Sequence, residues 1–388
     1  MRTKTNLVLG GFCFSLLFIV FLRSHQSQYV NKGTAVPVTI ALSSRLNMLF
    51  KENKIVCFGR YALLVPKEAQ IIWGKTSFPS EIDFLKGNTV FMKKKITQDI
   101  ETMRRHDNDV EITYNDGGPI EGSWQIRYYE DKAAKQLNLY LFKTYINKQD
   151  FIFLLTGGLD PITGQSEEQA LAREVRRAKS LRVRTEADIP AEEGYCIEHG
   201  FMASSFYGDQ EMVNVGIYLP SLPDVTFSIS SNKDAYADYP KEEFEKKKVE
   251  ELSVLARVRQ AQQEQGVMYP HRTVLREGKR SVQHWHGEES LIKRPNGVHD
   301  FEWGFVGTPK DVANPSEFIV NMYTKVEHNM VGAAKAASLT DDEAVALWDK
   351  LLSGLKFRVK VPGAPEGSYY FLPTKTAQPP RAIDEGKR

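Results

Sequence analysis

The first 22 residues constrain this chain more than any other stretch. Arg2 and Lys4 precede Thr5–Leu22, a run of 18 residues without a charge, and Arg23 closes it. A helix rising about 1.5 Å per residue covers roughly 27 Å with such a run, close to the hydrocarbon thickness of a bilayer. Positive charge ahead of an apolar segment keeps the N-terminus in the cytoplasm and sends the remainder across. Arg23-Ser-His-Gln-Ser-Gln-Tyr-Val30 is a poor cleavage site, and Cys13 lies inside the run instead of just after it, where lipid modification would fall. The favoured reading of residues 1–30 is a signal anchor left uncleaved, with a cleaved signal peptide as the alternative. Either way the rest of the chain folds outside the cytoplasm. No other uncharged run approaches spanning length, so the chain is expected to cross the inner membrane once, through residues 5–22, or not at all.

An exported portion of this size points to two domains. Hydrophobic residues make up 41% of the chain and aromatic ones 11%, ample for packed cores. Lys and Arg number 51 against 49 Asp and Glu, a net charge of +2, so the basic excess of a nucleic-acid binder is missing. Cys57 and Cys196 are the two cysteines outside the apolar run. An oxidising compartment permits a disulfide between them, and two buried free thiols are equally compatible with the residues alone.

Residues 31–45 are polar and read as a linker. Beyond them the pattern predicts an N-terminal α+β domain over 46–186 and a C-terminal one over 187–362, with a Pro- and Gly-rich tail without structure at 363–388. In the first domain, Lys54–Pro66 reads as a strand pair or bent strand and Ala69–Trp73 as a short strand. A helix is expected from Pro79 or Glu81 through Met103. Glu121–Tyr129, Leu137–Tyr145 and Asp150–Thr156 read as strands. Ser166, with Gln169 three residues on, opens a capped helix running to Leu181. In the second domain, strands are expected at Tyr195–Ala203, Glu211–Leu219, Val225–Ser230, Lys279–His286, Val298–Val306 and Phe318–Lys325. A charged helix is expected from Pro240 to Gln265, stopped by Gly266. Thr340 and Glu343 form a capping box for a helix with Ala344, Leu347, Trp348, Leu351 and Leu352 on one face, ended by Gly354. The fold class is α+β: two mixed domains with mainly antiparallel sheets, preceded by a single N-terminal membrane helix.

The search for chemistry yields little. On one strand His284 and His286 would share a face, with Glu288 or His299 near enough to complete a metal site. The second half of a recognised zinc spacing is missing, and a solvated strand face accounts for the pair. Gly157–Gly164 resembles a phosphate-cradling loop but lacks the Gly-Lys-Ser/Thr ending. Neither Gly-x-Ser-x-Gly nor His-Glu-x-x-His occurs. Cys196 and His199, three apart on one strand, would face opposite sides and so could not act as nucleophile and base. The residues alone give an exported two-domain protein with no catalytic set and no cofactor. An exported hydrolase or metal-binding enzyme centred on His284, His286 and Glu288, and an envelope scaffold, are the alternatives.

A set of short motifs then carries a resemblance. Cys57-Phe-Gly-Arg-Tyr-Ala-Leu-Leu-Val-Pro66 resembles the opening of the two-domain immunity proteins that protect bacteria from type VI secretion lipase effectors. Gly194-Tyr-Cys-Ile197, followed by Gly200-Phe-Met202, is similar to the start of that family's second domain. Leu222-Pro-Asp-Val-Thr-Phe227, Gly287-Glu-Glu-Ser-Leu291 with Phe301-Glu-Trp-Gly-Phe-Val-Gly307, and Asp342-Glu-Ala-Val-Ala-Leu-Trp-Asp349 agree in order, so that the likeness spans residues 50–360. It implies a periplasmic protein without enzymatic activity, whose two domains grip a phospholipase like a claw and obstruct its active site. It also implies that Cys57 and Cys196, one in each domain's motif, pair and fix the mouth of the claw. The family does not transfer contact residues. The loops Asp116–Pro119, Leu159–Gln165 and Arg294–His299 are candidates because loops carry recognition.

Overall fold

The computed structural model describes residues 40–159, 164–324 and 337–371. The expected membrane segment, residues 5–22, lies outside them, and no helix among the described residues is long and apolar enough to cross a membrane. A short helix, α1 (Ser44–Leu49), leads into the hairpin β1 (Asn53–Phe58) and β2 (Tyr61–Pro66). Its two-residue turn is Gly59-Arg60, where Gly59 takes φ +53°. A side chain there would also strike Val213 Cγ1 at 2.9 Å, so glycine is required twice over.

Strand β3 (Gln70–Ser77) is followed by β4 (Ile82–Lys86) and then α2 (Thr89–His106). The single helix expected from Pro79 or Glu81 is therefore a strand and a helix. Ile82 and Phe84 pair with Leu155 and Phe153 far along the chain. The Asn88 side chain accepts the Val90 and Phe91 N–H groups, each at 3.1 Å, and caps a helix that starts two residues beyond Gly87. Next come β5 (Glu111–Gly117), β6 (Ser123–Tyr129), α3 (Lys132–Gln136), β7 (Leu141–Lys148), β8 (Phe151–Gly158) and α4 (Glu167–Ser180). The strands form an antiparallel sheet in the order β4-β8-β7-β6-β5. Helix α2 seats Met92 and Ile96 against Ile126 and Ile152, and Tyr145 donates to the buried Asp99 carboxylate at 2.6 Å. Helix α4 keeps its Ser166–Gln169 capping box and buries Ala170 against Tyr140 and Phe142.

The expected strand Tyr195–Ala203 is a hairpin. After β9 (Leu181–Val183), β10 (Gly194–Ile197) turns at His199, φ +50°, into β11 (Gly200–Ala203). Strands β12 (Met212–Tyr218) and β13 (Thr226–Asn232) precede α5 (Lys241–Lys247) and α6 (Val254–Gln265). These two helices replace the continuous one expected over 240–265. A π turn at Lys248–Leu252 runs into Ser253, whose backbone is extended at ψ 157° and whose hydroxyl accepts the Ala256 N–H. A serine that caps a new helix competes with continuation of the old one. Gly266, with φ +50°, stops α6 at the expected place.

Strands β14 (Thr273–Val282), β15 (Trp285–Lys293), β16 (His299–Phe305) and β17 (Glu317–Tyr323) complete a seven-stranded sheet, ordered β14-β15-β16-β17-β13-β12-β3. Helix α7 (Asp341–Ser353), with its Thr340–Glu343 capping box, covers one face. Trp348 meets Phe227 and Phe301 at ring-centroid distances of 5.9 Å, and Leu347, Leu351 and Leu352 are buried beside it. Structure continues past Pro362: β18 (Leu355–Val359) pairs in parallel with β19 (Tyr369–Phe371), which falls inside the stretch expected to be a tail. Residues 372–388 lie outside the described ones.

The seam near residue 187 does not separate the sheets. Strand β3, from the first half, pairs with β12 of the second, while β18 from the second half pairs with β2 of the first. One core accordingly runs from Leu46 to Ala364. Each half completes the other's sheet.

Candidate functional site

The histidines that suggested a metal are scattered by a turn. Gln283, at φ +54°, and His284 connect β14 to β15, so His284 and His286 do not alternate along one strand. His284 Nε2 lies 3.1 Å from the Ala313 carbonyl, and burial lowers its pKa below the ordinary histidine value. His286 Nδ1 lies 2.8 Å from Ser281 Oγ across the hairpin. Glu288 accepts the Leu255 N–H at 3.0 Å, at the start of α6. His299 is buried and bridges Asp341 and Thr324, at 2.8 Å each. Each group is committed to a different partner, and among the described residues no three His, Cys, Asp or Glu side chains could hold a metal ion. The metal-centred enzyme reading is withdrawn.

The other candidates resolve in the same way. The His199 ring packs on Phe84 and Phe151, at 4.5 and 4.9 Å, across the β10–β11 turn from Cys196. Of the glycine loop, Gly157 closes on the buried Glu174 carboxylate, which a side chain there would strike at 2.5 Å. That carboxylate is already bound by Arg177 at 3.0 Å. Residues 160–163 lie outside the described ones.

The residues of the Cys57–Pro66 motif converge on the seam between the halves. Cys57 and Cys196 are buried and stand in disulfide geometry, with Cα atoms 6.0 Å apart. Beside them Gly59 and Cys196 exchange two backbone hydrogen bonds of 2.8 Å. Arg60, 2% exposed, is bound by Glu211 at 2.7 Å, by the Ser204 and Phe206 carbonyls, and by the Tyr207 ring 4.3 Å away. Burial disfavours the Arg60 cation, and Glu211 outweighs that and holds its pKa above the ordinary value. Tyr61 stacks on Phe357 and bonds Ser231 at 3.0 Å. Two more arginines line the seam. Arg184 donates to the Gly200 carbonyl of the other half at 3.0 Å and to the Cys57 carbonyl of its own at 3.1 Å. The Arg358 backbone N–H crosses to the Arg60 carbonyl at 2.8 Å, while its side chain donates to the carbonyls of Pro190, Glu192 and Gly194 within its own half. Burial lowers each to about 10, which leaves both charged at neutral pH. These side chains are consumed inside the molecule. A partner cannot touch them.

Three surfaces remain open. The first is a cleft of about 550 Å³ where Tyr128, Phe142 and Arg173 of the first half face Gly208, Asp209 and Gln210 of the second. The second is the face of the seven-stranded sheet opposite α7. Successive strands set Ile72, Gly216, Ser228, Asn321 and Glu302 in one row, and Gln70, Tyr218, Thr226, Tyr323 and Asp300 in the next. Side chains on this face are mostly small or polar, with the apolar Ile72 and Ile319 among them and Tyr218 and Tyr323 at one margin, while Ile217, Phe227 and Met322 point into the core. The third is the α5–α6 arm, which walls that face over β15 and β16. Arg257 pairs with Glu302 there, and Val254 is buried beside Gly304.

The loops singled out from sequence do not form one site. Of Leu159–Gln165, Gln165 accepts from Arg173, a residue of the cleft, at 3.4 Å, and residues 160–163 lie outside the described ones. Asp116–Pro119 ends β5 and turns out of it at the other end of the same sheet, as the register from Gly158–Leu141 to Phe151–Lys148 requires. Arg294–His299 is the turn between β15 and β16, closed by Arg294 on Asp300 at 2.9 Å. Sequence reasoning missed the open sheet face and the apolar end of the arm; the charged part of the arm reads from sequence as a solvated helix face, with docking on a charged partner as the alternative. The available signals were the small residues Asn214, Gly216, Ser228 and Ser230 on alternate positions of two strands, and the apolar Val267-Met268 just past a helix stop.

Residues 54–186 match the family described as "Tle cognate immunity protein 4 N-terminal domain", and residues 188–360 match "Tle cognate immunity protein 4 C-terminal domain". No curated protein matches the chain. Among solved structures, the immunity protein TplEi of the type VI secretion system of Pseudomonas aeruginosa, complexed with "L" peptide, superposes with TM-score 0.59 at 22% identity, over 79% of this chain and 99% of that one. Its apo structure gives 0.61 at 22% identity over 79% and 97%. A chain of the Tle4–Tli4 complex gives 0.61 at 21% identity, again over 79% and 97%. At these identities the likeness establishes the fold.

Proposed function

The chain belongs to the Tle cognate immunity protein 4 family, and from that premise we propose that it binds a cognate type VI secretion phospholipase effector and holds it inactive by obstructing its active site. The observation that carries this reading is the family match over both halves, 54–186 and 188–360, on a molecule whose halves complete each other's sheets. A relative of the same fold was solved as the Tle4–Tli4 complex, which supports an effector as the partner here. Exchanged strands hold the halves in a fixed relation, and a preorganised binder loses little freedom on association. The pairing of Cys57 with Cys196 belongs to this proposal: a bond between residues 139 apart in sequence would fix the seam in an oxidising compartment. So does the address. The uncharged run Thr5–Leu22 would hold the protein at the periplasmic face of the inner membrane, where an incoming phospholipase finds its substrate.

The test is co-expression of residues 31–388, directed to the periplasm, with a type VI lipase effector from the same genome. A stable complex with silenced lipase is the expected result. Free, fully active lipase in the presence of folded protein would reject the reading and return the envelope scaffold to consideration. Replacing residues 1–30 with a cleavable signal should preserve inhibition, whereas full protection by protein kept in the cytosol would reject the periplasmic address.

A further inference from the structure

Beyond the cleft, the open sheet and the arm, the outside of helix α2 differs from every other charged segment of the fold. Met92, Ile96, Asp99 and Met103 recur at helical spacing on the side that packs against the five-stranded sheet. The opposite side carries Lys93, Lys94, Thr97, Glu101, Arg104 and Arg105, all exposed. The helix holds five Lys and Arg against two acids, Asp99 and Glu101. Asp99 is buried and spent on Tyr145 and Lys95. Arg105 donates to the Glu101 backbone carbonyl and the Thr102 hydroxyl, not to a carboxylate. Among the described residues Lys93, Lys94, Arg104 and Arg105 have no ion-pair partner.

Elsewhere the exposed cations are compensated. In the arm Lys246 and Lys247 meet Glu250 and Glu251 one turn on, and in the first half Lys67 and Lys75 meet Glu52 and Glu81. Four uncompensated cations spread over about 18 Å of helix repel one another, and an anionic surface relieves that repulsion. At the N-terminal end of the same side two apolar side chains stand in water, Val90 at 77% and Phe91 at 45% exposure. A bilayer of anionic lipid answers both features: headgroup phosphates take the cations and the acyl boundary takes the apolar pair. An acidic protein surface answers the charge alone.

Under the periplasmic address proposed above, residues 23–39 join the apolar run to the described fold. They extend at most about 60 Å, and a folded body of this size is roughly 50 Å across. Every face of the molecule is then within reach of the bilayer. The tether selects none of them, and the charge does. We propose that the outer face of α2 lies on an anionic lipid surface, with Lys93, Lys94, Arg104 and Arg105 at the headgroup phosphates and Val90 and Phe91 at the acyl boundary. This goes beyond the effector reading and does not depend on it.

The test needs no lipase. Ile40 packs against a core that runs from Leu46 to Ala364, so residues 31–388 keep all of that core and lack the apolar run. This form is mixed with vesicles of phosphatidylglycerol and phosphatidylethanolamine, or of phosphatidylcholine, and binding is read by sedimentation. It should bind the anionic vesicles at least about tenfold more tightly than the neutral ones, and raised salt should remove the difference. Lys93→Gln, Lys94→Gln, Arg104→Gln and Arg105→Gln together should weaken anionic binding at least about tenfold, since each cation near such a surface contributes roughly fivefold. All four side chains are exposed, so the melting temperature should stay close to the parent's, and the Lys93–Lys94 and Arg104–Arg105 pairs changed separately should each give part of the loss. Removing the same charge elsewhere, through Lys51→Gln, Lys67→Gln, Lys75→Gln and Lys246→Gln, should leave most of the binding intact. A parent indifferent to anionic vesicles overturns the proposal. So does an equal loss in the two quadruple variants, which would make the attraction a property of net charge. A parent that ignores vesicles while the α2 variant loses affinity for lipase would assign this face to a protein partner and overturn the lipid assignment.

Discussion

The hairpin turn at Gly59-Arg60 and the tip of α6 are both short turns carrying large side chains, and the molecule treats them in opposite ways. Around Arg60 every hydrogen-bonding group is spent inside: Glu211, two carbonyls and the Tyr207 ring surround a side chain that is 2% exposed. At the tip, Val267 and Met268 touch water. The first turn belongs to a motif that sequence comparison notices, and its work is to hold the halves together. The second carries no motif and has no internal work to do. In a binding protein the legible residues build the frame, and the residues that meet the partner are those the frame leaves over. Substitutions at the first turn should therefore cost stability without a specific effect on binding. Those at the second, where the side chains stand in water, should leave stability unchanged.

Arg60→Ala is the most direct way to break that contrast. It strands the Glu211 carboxylate in the seam, and removing one partner of a buried pair costs about 3–5 kcal/mol. Chemical denaturation should read this loss, with lipase binding retained at temperatures where the variant stays folded. A midpoint within experimental error of the parent would show that the seam does not depend on Arg60. The proposed Cys57–Cys196 bond comes next. Cross-links over loops of this length contribute about 2–5 kcal/mol. Cys57→Ser with Cys196→Ser should lower the denaturation midpoint accordingly, and reductant should lower the parent to the same value while leaving the variant unchanged. A parent indifferent to reductant would refute the bond. On the arm, Ser253→Ala removes the α6 cap and should cost about 1 kcal/mol locally. Faster hydrogen exchange confined to α6, with an unchanged global melting temperature, is the expected signature. Uniformly faster exchange throughout the seven-stranded sheet would show that the arm is part of the core after all.

What could be read from the sequence follows from the range of the forces involved. The capping boxes at Ser166 and Thr340 were legible because both halves of each box lie within four residues. The apolar stripe ending at Leu352 was legible from its period. The breaks were not. Residues 82–86 become a strand because Phe153 and Leu155 wait some 70 residues away, and the turns at His199 and Gln283 divide segments whose composition alone reads as continuous strand. The exchange of β3 and β18 between halves is a matter of partners more than a hundred residues distant, which no local pattern encodes. The site divides likewise. Cys57 and Cys196 stood out by type and motif. The histidines near Trp285 stood out by type alone, and the fold gave each a separate hydrogen bond. Val267 and Met268 are common residues whose meaning lies in where α6 ends.

The smallest expected effect concerns a third kind of contact, neither buried lock nor free tip. Arg45 in α1 donates to both oxygens of Glu343, at 2.7 and 2.6 Å, and the Ser43 hydroxyl adds a bond of 2.7 Å. These bonds fasten the end of the stretch read as a linker to the first turn of α7. The Arg45 hydrogen bond is the largest reason the Glu343 carboxyl falls to about 2. A carboxylate depressed on folding contributes stability that is complete above its ordinary value near 4.5 and is lost as pH falls toward 2. Arg45 is half exposed, so water and salt screen the pair and its worth is under about 1 kcal/mol. Glu343→Gln keeps the capping-box chemistry while removing the charge. It should lower stability slightly at neutral pH, and the parent's advantage should shrink to nothing between pH 4.5 and 2, more completely in high salt. An advantage that persists unchanged at pH 2 would mean that Glu343 acts through its shape in the capping box. The attachment of α1 to α7 would then be a packing contact of the seam's kind, not an electrostatic one at the surface.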